Sequence, residues 1–178
     1  MSRISLADPI SLPPYLKTMY ENANPQDWGT RHTAQAFATH PDLLERFHAF
    51  YRPFHINDGA GVLDRRLKEL VRLRIATLNG CLACKSARLD PEHVTEQEAS
   101  SGVDAPDGVG FSEREKAALN FCELMAVDHF AIDDDAIRGL RGHFSEPELL
   151  ELMVMTGQYI GFGRVAHILH LEETSCPI

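Results

Sequence analysis

The chain has 178 residues, 44% of them hydrophobic, enough for one domain that buries roughly two thirds of its unfolded surface without disulfide support. Seventeen Lys and Arg against twenty-six Asp and Glu leave a net charge of −9, which repels phosphate backbones and anionic lipid and speaks against nucleic acid and membrane partners. Four cysteines are too few for a secreted disulfide scaffold, and Met1-Ser2-Arg3 leads into no apolar signal region, so the expected location is cytoplasmic.

Residues 1–33 hold Pro9, Pro13, Pro14 and Pro25 with no sustained period, which predicts an N-terminal arm with one short helix at Tyr15 to Asn22. The apolar Ile4, Leu6, Ile10, Leu12, Tyr15 and Trp28 argue that the arm packs, and an arm of this kind often wraps a neighbouring subunit. Residues 34–178 form the expected helical domain. From Pro41 the period is helical, with Leu43, Leu44, Phe47 and Phe50 on one face and Pro53 expected to end or bend the helix. Leu67, Leu70, Val71, Ile75 and Leu78 recur at spacings of three and four, the mark of a helix with one buried stripe, and Asn79-Gly80 supplies its stop. Thr95-x-x-Glu98, Ser112-x-x-Glu115 and Ser145-x-x-Glu148 read as capping boxes, with a Gly, Pro and Asp loop over Gly102 to Gly110.

The Ser112 helix would bury Ala118, Phe121, Cys122 and Met125, and Asp133 to Arg141 is a further short helix. The last helix is apolar on nearly every side, through Leu149, Leu150, Leu152 to Met155, Tyr159 and Ile160, which places it centrally or at a subunit interface. Its apolar stretch, interrupted by Glu151 and Gln158, is too short to span a bilayer. No segment alternates as a strand does, and no Gly-rich phosphate loop, nucleophile elbow or calcium loop is present, so the fold is expected to be all-α and the chemistry to come from thiols, carboxylates and histidines.

The candidate site is Asn79-Gly80-Cys81-Leu82-Ala83-Cys84. Two thiols three positions apart can close a disulfide, grip a metal or pack as core. If a helix starts just after Gly80, its unpaired N–H groups and dipole favour thiolate, and redox chemistry is the preferred reading. A zinc site needs two more ligands, whereas Cys122 and Cys176 belong to no second pair and His93 offers a third ligand at best. The spacing brings the Cys81 and Cys84 sulfurs within bonding reach, so mild oxidation is expected to join them.

The run Leu67-Lys68-Glu69-Leu70-Val71-Arg72-Leu73-Arg74-Ile75-Ala76-Thr77-Leu78-Asn79-Gly80-Cys81-x-x-Cys84 resembles the core of the alkylhydroperoxidase D-like, carboxymuconolactone decarboxylase family. The resemblance covers roughly His40 to Leu171, and takes in Pro41-Asp42-Leu43-Leu44, Ser112-Glu113-Arg114-Glu115 and the segment Gly161 to Leu171. It implies an all-α helical bundle of about six to eight helices and a homo-oligomer, whether dimer, trimer or hexamer. In the peroxidase branch it implies thiol-dependent reduction of a small-molecule hydroperoxide, with an external thiol or dithiol reductant and no bound cofactor. By the same resemblance Cys84 is the attacking sulfur, Cys81 meets the reductant, and Glu69, twelve residues before Cys81, belongs to a proton relay. Twelve residues of unbroken helix turn through about 1200°, which leaves Glu69 and Cys81 about 120° apart, so only a chain reversal at Asn79-Gly80 can bring the carboxylate to the thiols; apart from the family pattern, Glu69 reads as a solvated or ion-paired helix residue beside Arg65, Arg66, Arg72 and Arg74.

The chain departs from the pattern at two places. Arg88 stands four residues after Cys84, where the peroxidase branch has a histidine, and Ala83 stands where a second histidine can occur between the cysteines. A guanidinium cannot shuttle protons near neutral pH, but from one helical turn away Arg88 could hold Cys84 ionised. His93, His129, His167 and His170 are the histidines left to replace the relay. The rival readings are a cofactor-free lyase or isomerase acting on a carboxylated lactone, with Glu69 and a histidine as acid and base and Arg88 on the substrate carboxylate, and an idle oligomeric scaffold.

Overall fold

The computed structural model describes residues 2–25, 27–56, 60–100, 102–104 and 110–171. These carry nine α-helices and no β-strand: α1 Pro14–Asn22, α2 Trp28–Ala36, α3 Pro41–Ile56, α4 Arg65–Leu78, α5 Leu82–Ser86, α6 Glu96–Ser100, α7 Glu113–Val127, α8 Asp134–Arg141 and α9 Glu146–Ile168. The all-α expectation holds for the described residues. Nine helices exceed the expected six to eight by α2, which no apolar period announces.

The frame is built on α4. Asp64 caps it by accepting from the Leu67 N–H at 2.8 Å, and Gly80 ends it in the left-handed region at φ 66°, where a side chain would be strained. The pattern predicts one buried stripe, but every residue from Leu67 to Ala76 is buried. The helix can be enclosed on all sides because its charged residues have partners. Lys68 lies 3.3 Å from Glu151 on α9, Arg72 pairs with Glu69, and Arg74 reaches Glu123 on α7 at 2.6 Å. Arg66 binds Glu98 at 2.7 Å and Glu115 at 2.6 Å, tying α4 to α6 and α7.

The main core joins Leu67, Val71 and Ile75 of α4 to Phe121 and Cys122 of α7 and Leu152, Met155 and Tyr159 of α9. Cys122 is fully buried, as its place on the apolar face of α7 predicts. The capping boxes at Thr95 and Ser112 are formed, with Glu98 and Glu115 each accepting from its cap residue's N–H at 2.8 Å. Glu148 likewise accepts from the Ser145 N–H at 2.8 Å.

Two local readings differ from the structure. Helix α3 neither stops at Pro53 nor buries the expected face. It continues to Ile56, and Leu43 and Phe50 are exposed while Leu44, Phe47, His48, Tyr51 and His55 turn inward. Hydropathy alone misses this because the inward face carries a tyrosine and two histidines, and the histidines bond Tyr15 and Tyr159. The N-terminal segment holds two helices where one was expected, and Leu12, Leu16, Ala34 and Leu44 form a small core of their own. The chain start packs on its own subunit, with the Arg3 N–H donating to the Leu169 carbonyl at 3.0 Å beyond the end of α9.

Candidate functional site

The left-handed turn at Gly80 reverses the chain, and α5 begins with Cys81 as its N-cap. The Cys84 N–H donates to Cys81 Sγ at 3.2 Å. Cys81 and Cys84 are joined by a disulfide, with their Cα atoms 5.2 Å apart. Cys81 is buried and Cys84 half-buried. Helix α5 sits close against α2 because residue 29 is glycine: a Cβ there would lie 2.4 Å from the Ala83 Cβ. Both cysteines line a cavity of about 220 Å³, together with Phe47, Tyr51, Arg72 and Tyr159.

The same reversal brings Glu69 to the loop after α5. Its Oε1 accepts from the Leu89 N–H at 3.0 Å, and Arg72 clamps both carboxylate oxygens, Nε on Oε2 at 2.7 Å and Nη2 on Oε1 at 2.9 Å. The other face of the Arg72 guanidinium donates to the carbonyls of Cys84 and Ala87, so one side chain ties the buried carboxylate to the C-terminal end of the cysteine helix. Burial on its own would raise the pKa of Glu69, but the Arg72 pair and the Leu89 N–H outweigh it and hold the carboxyl below its usual range.

A polar cluster from α3 and α9 stands behind this pair. His55 Nε2 lies 3.9 Å from Glu69 Oε2, and its Nδ1 shares a hydrogen bond of 2.8 Å with the Tyr159 hydroxyl. Tyr51 stacks on the His55 ring at 5.0 Å and 8°. Burial, then the Arg72 cation, push the pKa of His55 down to about 4 against the weaker pull of Glu69, so the ring is neutral near pH 7. Burial likewise lifts Tyr51 to about 12 and Tyr159 well above its ordinary value.

Of the residues singled out in the sequence, the structure brings Cys81 and Cys84 to the cavity and ties Glu69, which is not among its lining residues, to the Cys84 carbonyl through Arg72. Arg88 is near, but not as the spacing suggested. Helix α5 ends at Ser86 and Ala87 is extended, so Arg88 shares no helical face with Cys84. Its guanidinium bonds Glu96 and the Val94 carbonyl, and its Nε stands 3.9 Å from Glu69 Oε1. The candidate relay histidines do not line the cavity. His93 bonds Asp90 at 2.8 Å, His129 lies against Phe130, and the His167 and His170 rings stand 6.5 Å apart. Cys176 is outside the described residues, and among those described no group of three His, Cys, Asp or Glu is placed to hold a metal ion.

The sequence reading took Arg72 only as one of four arginines that could pair with Glu69, and passed over His55 and Tyr159 as site residues. Arg72 carried a faint signal, since a carboxylate three residues before an arginine on one helix is a pairing distance. For His55 the signal was its register with Leu44, Tyr51 and His48 on α3. Nothing local marked Tyr159, which only the approach of α9 brings to His55.

No family model matches the sequence, and no curated protein does. Solved structures do. An alkylhydroperoxidase AhpD core, an uncharacterized peroxidase-related protein from Ralstonia eutropha, matches with a TM-score of 0.77 at 18% identity, over 98% of this chain and 93% of that one. An uncharacterized peroxidase-related protein from a Silicibacter species matches with a TM-score of 0.76 at 20% identity, over 97% and 91%. An Agrobacterium tumefaciens protein of unknown function, named for AhpD and antioxidant defence, matches with a TM-score of 0.57 at 24% identity, over 75% and 92%. The chain therefore has the alkylhydroperoxidase D-like fold.

Proposed function

We propose that the protein reduces hydroperoxides through Cys81 and Cys84. The observation that carries this reading is the bonded pair at a helix start, its half-buried sulfur facing a cavity and a buried Glu69–Arg72 pair tied to its backbone. In the reduced protein the Cys84 thiolate attacks the outer peroxide oxygen. The O–O bond breaks, Cys84 becomes a sulfenic acid, and the leaving alkoxide takes a proton to leave as an alcohol. Cys81 then attacks the Cys84 sulfur, releasing water and forming the disulfide, and two electrons from an external dithiol reopen it. Glu69 is the proposed proton acceptor and donor. Arg88, 3.9 Å from Glu69 Oε1, would act through that carboxylate rather than on Cys84 directly.

The lactone-directed lyase needs the Arg88 guanidinium for the substrate carboxylate, yet that guanidinium is engaged by Glu96 and the Val94 carbonyl. Reaction of dithiothreitol-reduced protein with hydrogen peroxide and with cumene hydroperoxide tests the proposal. Thiol titration should fall by two per chain, peptide mapping should find the Cys81–Cys84 link, and Cys84→Ser should abolish both. A reduced protein that consumes either peroxide no faster than free glutathione would overturn the reading.

A further inference from the structure

The two sulfurs of the disulfide stand in different surroundings. Cys81 caps α5 from the inside with 1% of its surface exposed, whereas Cys84 is half-buried and Leu82 between them is 72% exposed. The Cys81 N–H donates to the Ala76 carbonyl at 2.9 Å, which folds the residue against the end of α4. The turn before it lies under α9, where Asn79 Nδ2 donates to the Tyr159 and Ile160 carbonyls at 3.2 Å and a Cβ on Gly80 would stand 3.6 Å from the His167 ring. The helix after it is held in this orientation by Arg72, which donates to the Cys84 and Ala87 carbonyls. Cys81 therefore borders the cavity while almost none of its surface is open to it. Packing of further chains on this one only deepens that burial.

Thiol–disulfide exchange is an in-line displacement. The incoming thiolate approaches one sulfur from the side opposite the bond that breaks, and the other sulfur leaves with the electron pair. At Cys81 that approach runs into the packed ends of α4 and α9, while Cys84 offers the accessible sulfur. Attack there leaves the electron pair on Cys81, where the Cys84 N–H already donates to Sγ at 3.2 Å and stabilises a thiolate. A stabilised thiolate is the better leaving group, so access and leaving-group chemistry favour the same sulfur.

We infer that the external reductant bonds Cys84 and not Cys81, the reverse of the assignment that the family resemblance implies. A reductant thiolate attacks Cys84 Sγ, the Cys81–Cys84 bond breaks, and Cys81 leaves as a thiolate that takes up a proton. A second thiol of the reductant then attacks the reductant sulfur of the mixed disulfide, closing the reductant's own disulfide and releasing Cys84 as a thiolate. Cys84 makes every bond to outside atoms, oxygen and sulfur alike, and Cys81 bonds only Cys84. The inference rests on the proposed redox role of the pair, but not on peroxide as its oxidant.

The test uses the chain with Cys176→Ser, in which the remaining thiol, Cys122, is buried. The disulfide is formed with diamide, the protein is treated with glutathione, and the mixture is quenched in acid and alkylated with N-ethylmaleimide. Tandem mass spectrometry of the peptide that holds both cysteines should find glutathione on Cys84 and maleimide on Cys81. A second measurement needs no trapped intermediate. Reduced Cys81→Ser protein should form a mixed disulfide with oxidised glutathione at least about tenfold faster than reduced Cys84→Ser protein, and the two should react alike once unfolded in guanidinium chloride. Glutathione on Cys81, an even split, or folded Cys84→Ser protein that reacts as fast as folded Cys81→Ser protein would each overturn the inference. A pair that exchanges at Cys84 yet consumes no peroxide would leave it standing and remove the peroxidase reading instead.

Discussion

The Arg72 side chain offers the most direct test of how the site is held together. Its guanidinium makes four hydrogen bonds, two to the Glu69 carboxylate and one each to the Cys84 and Ala87 carbonyls, and both members of the ion pair are buried. Arg72→Met keeps most of the aliphatic volume but strands a buried carboxylate, which costs about 3–5 kcal/mol. With a urea m-value of about 2 kcal/mol/M, the midpoint at pH 7 should fall by about 1.5–2.5 M. The sign of the pH dependence should also reverse. In the parent protein the depressed Glu69 pKa contributes stability above the ordinary carboxylate range, and that stability is lost as pH falls through the lower folded value. In Arg72→Met burial acts on Glu69 unopposed by this cation, its pKa rises, and the variant should regain stability relative to the parent as pH falls from 7 toward 5. Glu69→Gln should cost less than Arg72→Met, because Arg72 keeps both carbonyl acceptors. The double variant should be more stable than the sum of the single losses predicts. A loss below about 1 kcal/mol for Arg72→Met, or strict additivity in the cycle, would refute the view that this pair anchors the cysteine helix.

Two further outcomes follow from the same surroundings. His55 has its pKa held at about 4 against 6.5 in the unfolded chain, so its contribution is complete above pH 6.5 and is lost as pH falls toward 4, because the unfolded chain takes up a proton that the folded one refuses. The full difference is about 3 kcal/mol, and urea titrations should show a shallower decline between pH 7 and 4.5 in His55→Gln than in the parent, equal slopes counting against the assignment. Gly29→Ala should cost about 1–3 kcal/mol by forcing α2 from α5, read as a lower thermal midpoint, and an unchanged midpoint would mean that the 2.4 Å approach to Ala83 relaxes freely.

The helices and their ends were legible in the sequence because their causes are local. The hydrophobic period of α4 and α7, the Ser112 and Thr95 capping boxes and the Asn79-Gly80 stop each involve residues within one or two turns, and the structure contains them all. The Cys-x-x-Cys spacing was equally local, and it marked the candidate site whose two cysteines the structure joins. Three things depended on tertiary packing. Helix α4 is buried all round because Glu151 and Glu123 arrive from α9 and α7 to partner Lys68 and Arg74, so its charged face gave no hint of burial. Arg88 left the face of Cys84 because α5 stops at Ser86 and the chain turns it toward Glu96 and the Val94 carbonyl, a termination that i, i+4 arithmetic assumes away. The His55–Tyr159 contact spans 104 positions of sequence. It exists only because α3 and α9 both cross α4 beside Glu69. The sequence alone therefore determined most of the helical segments and the place of the cysteine pair, through short-range periodicity, capping and spacing. The tertiary structure decided which charges meet, through the packing of distant helices that desolvates them and obliges each to find a partner.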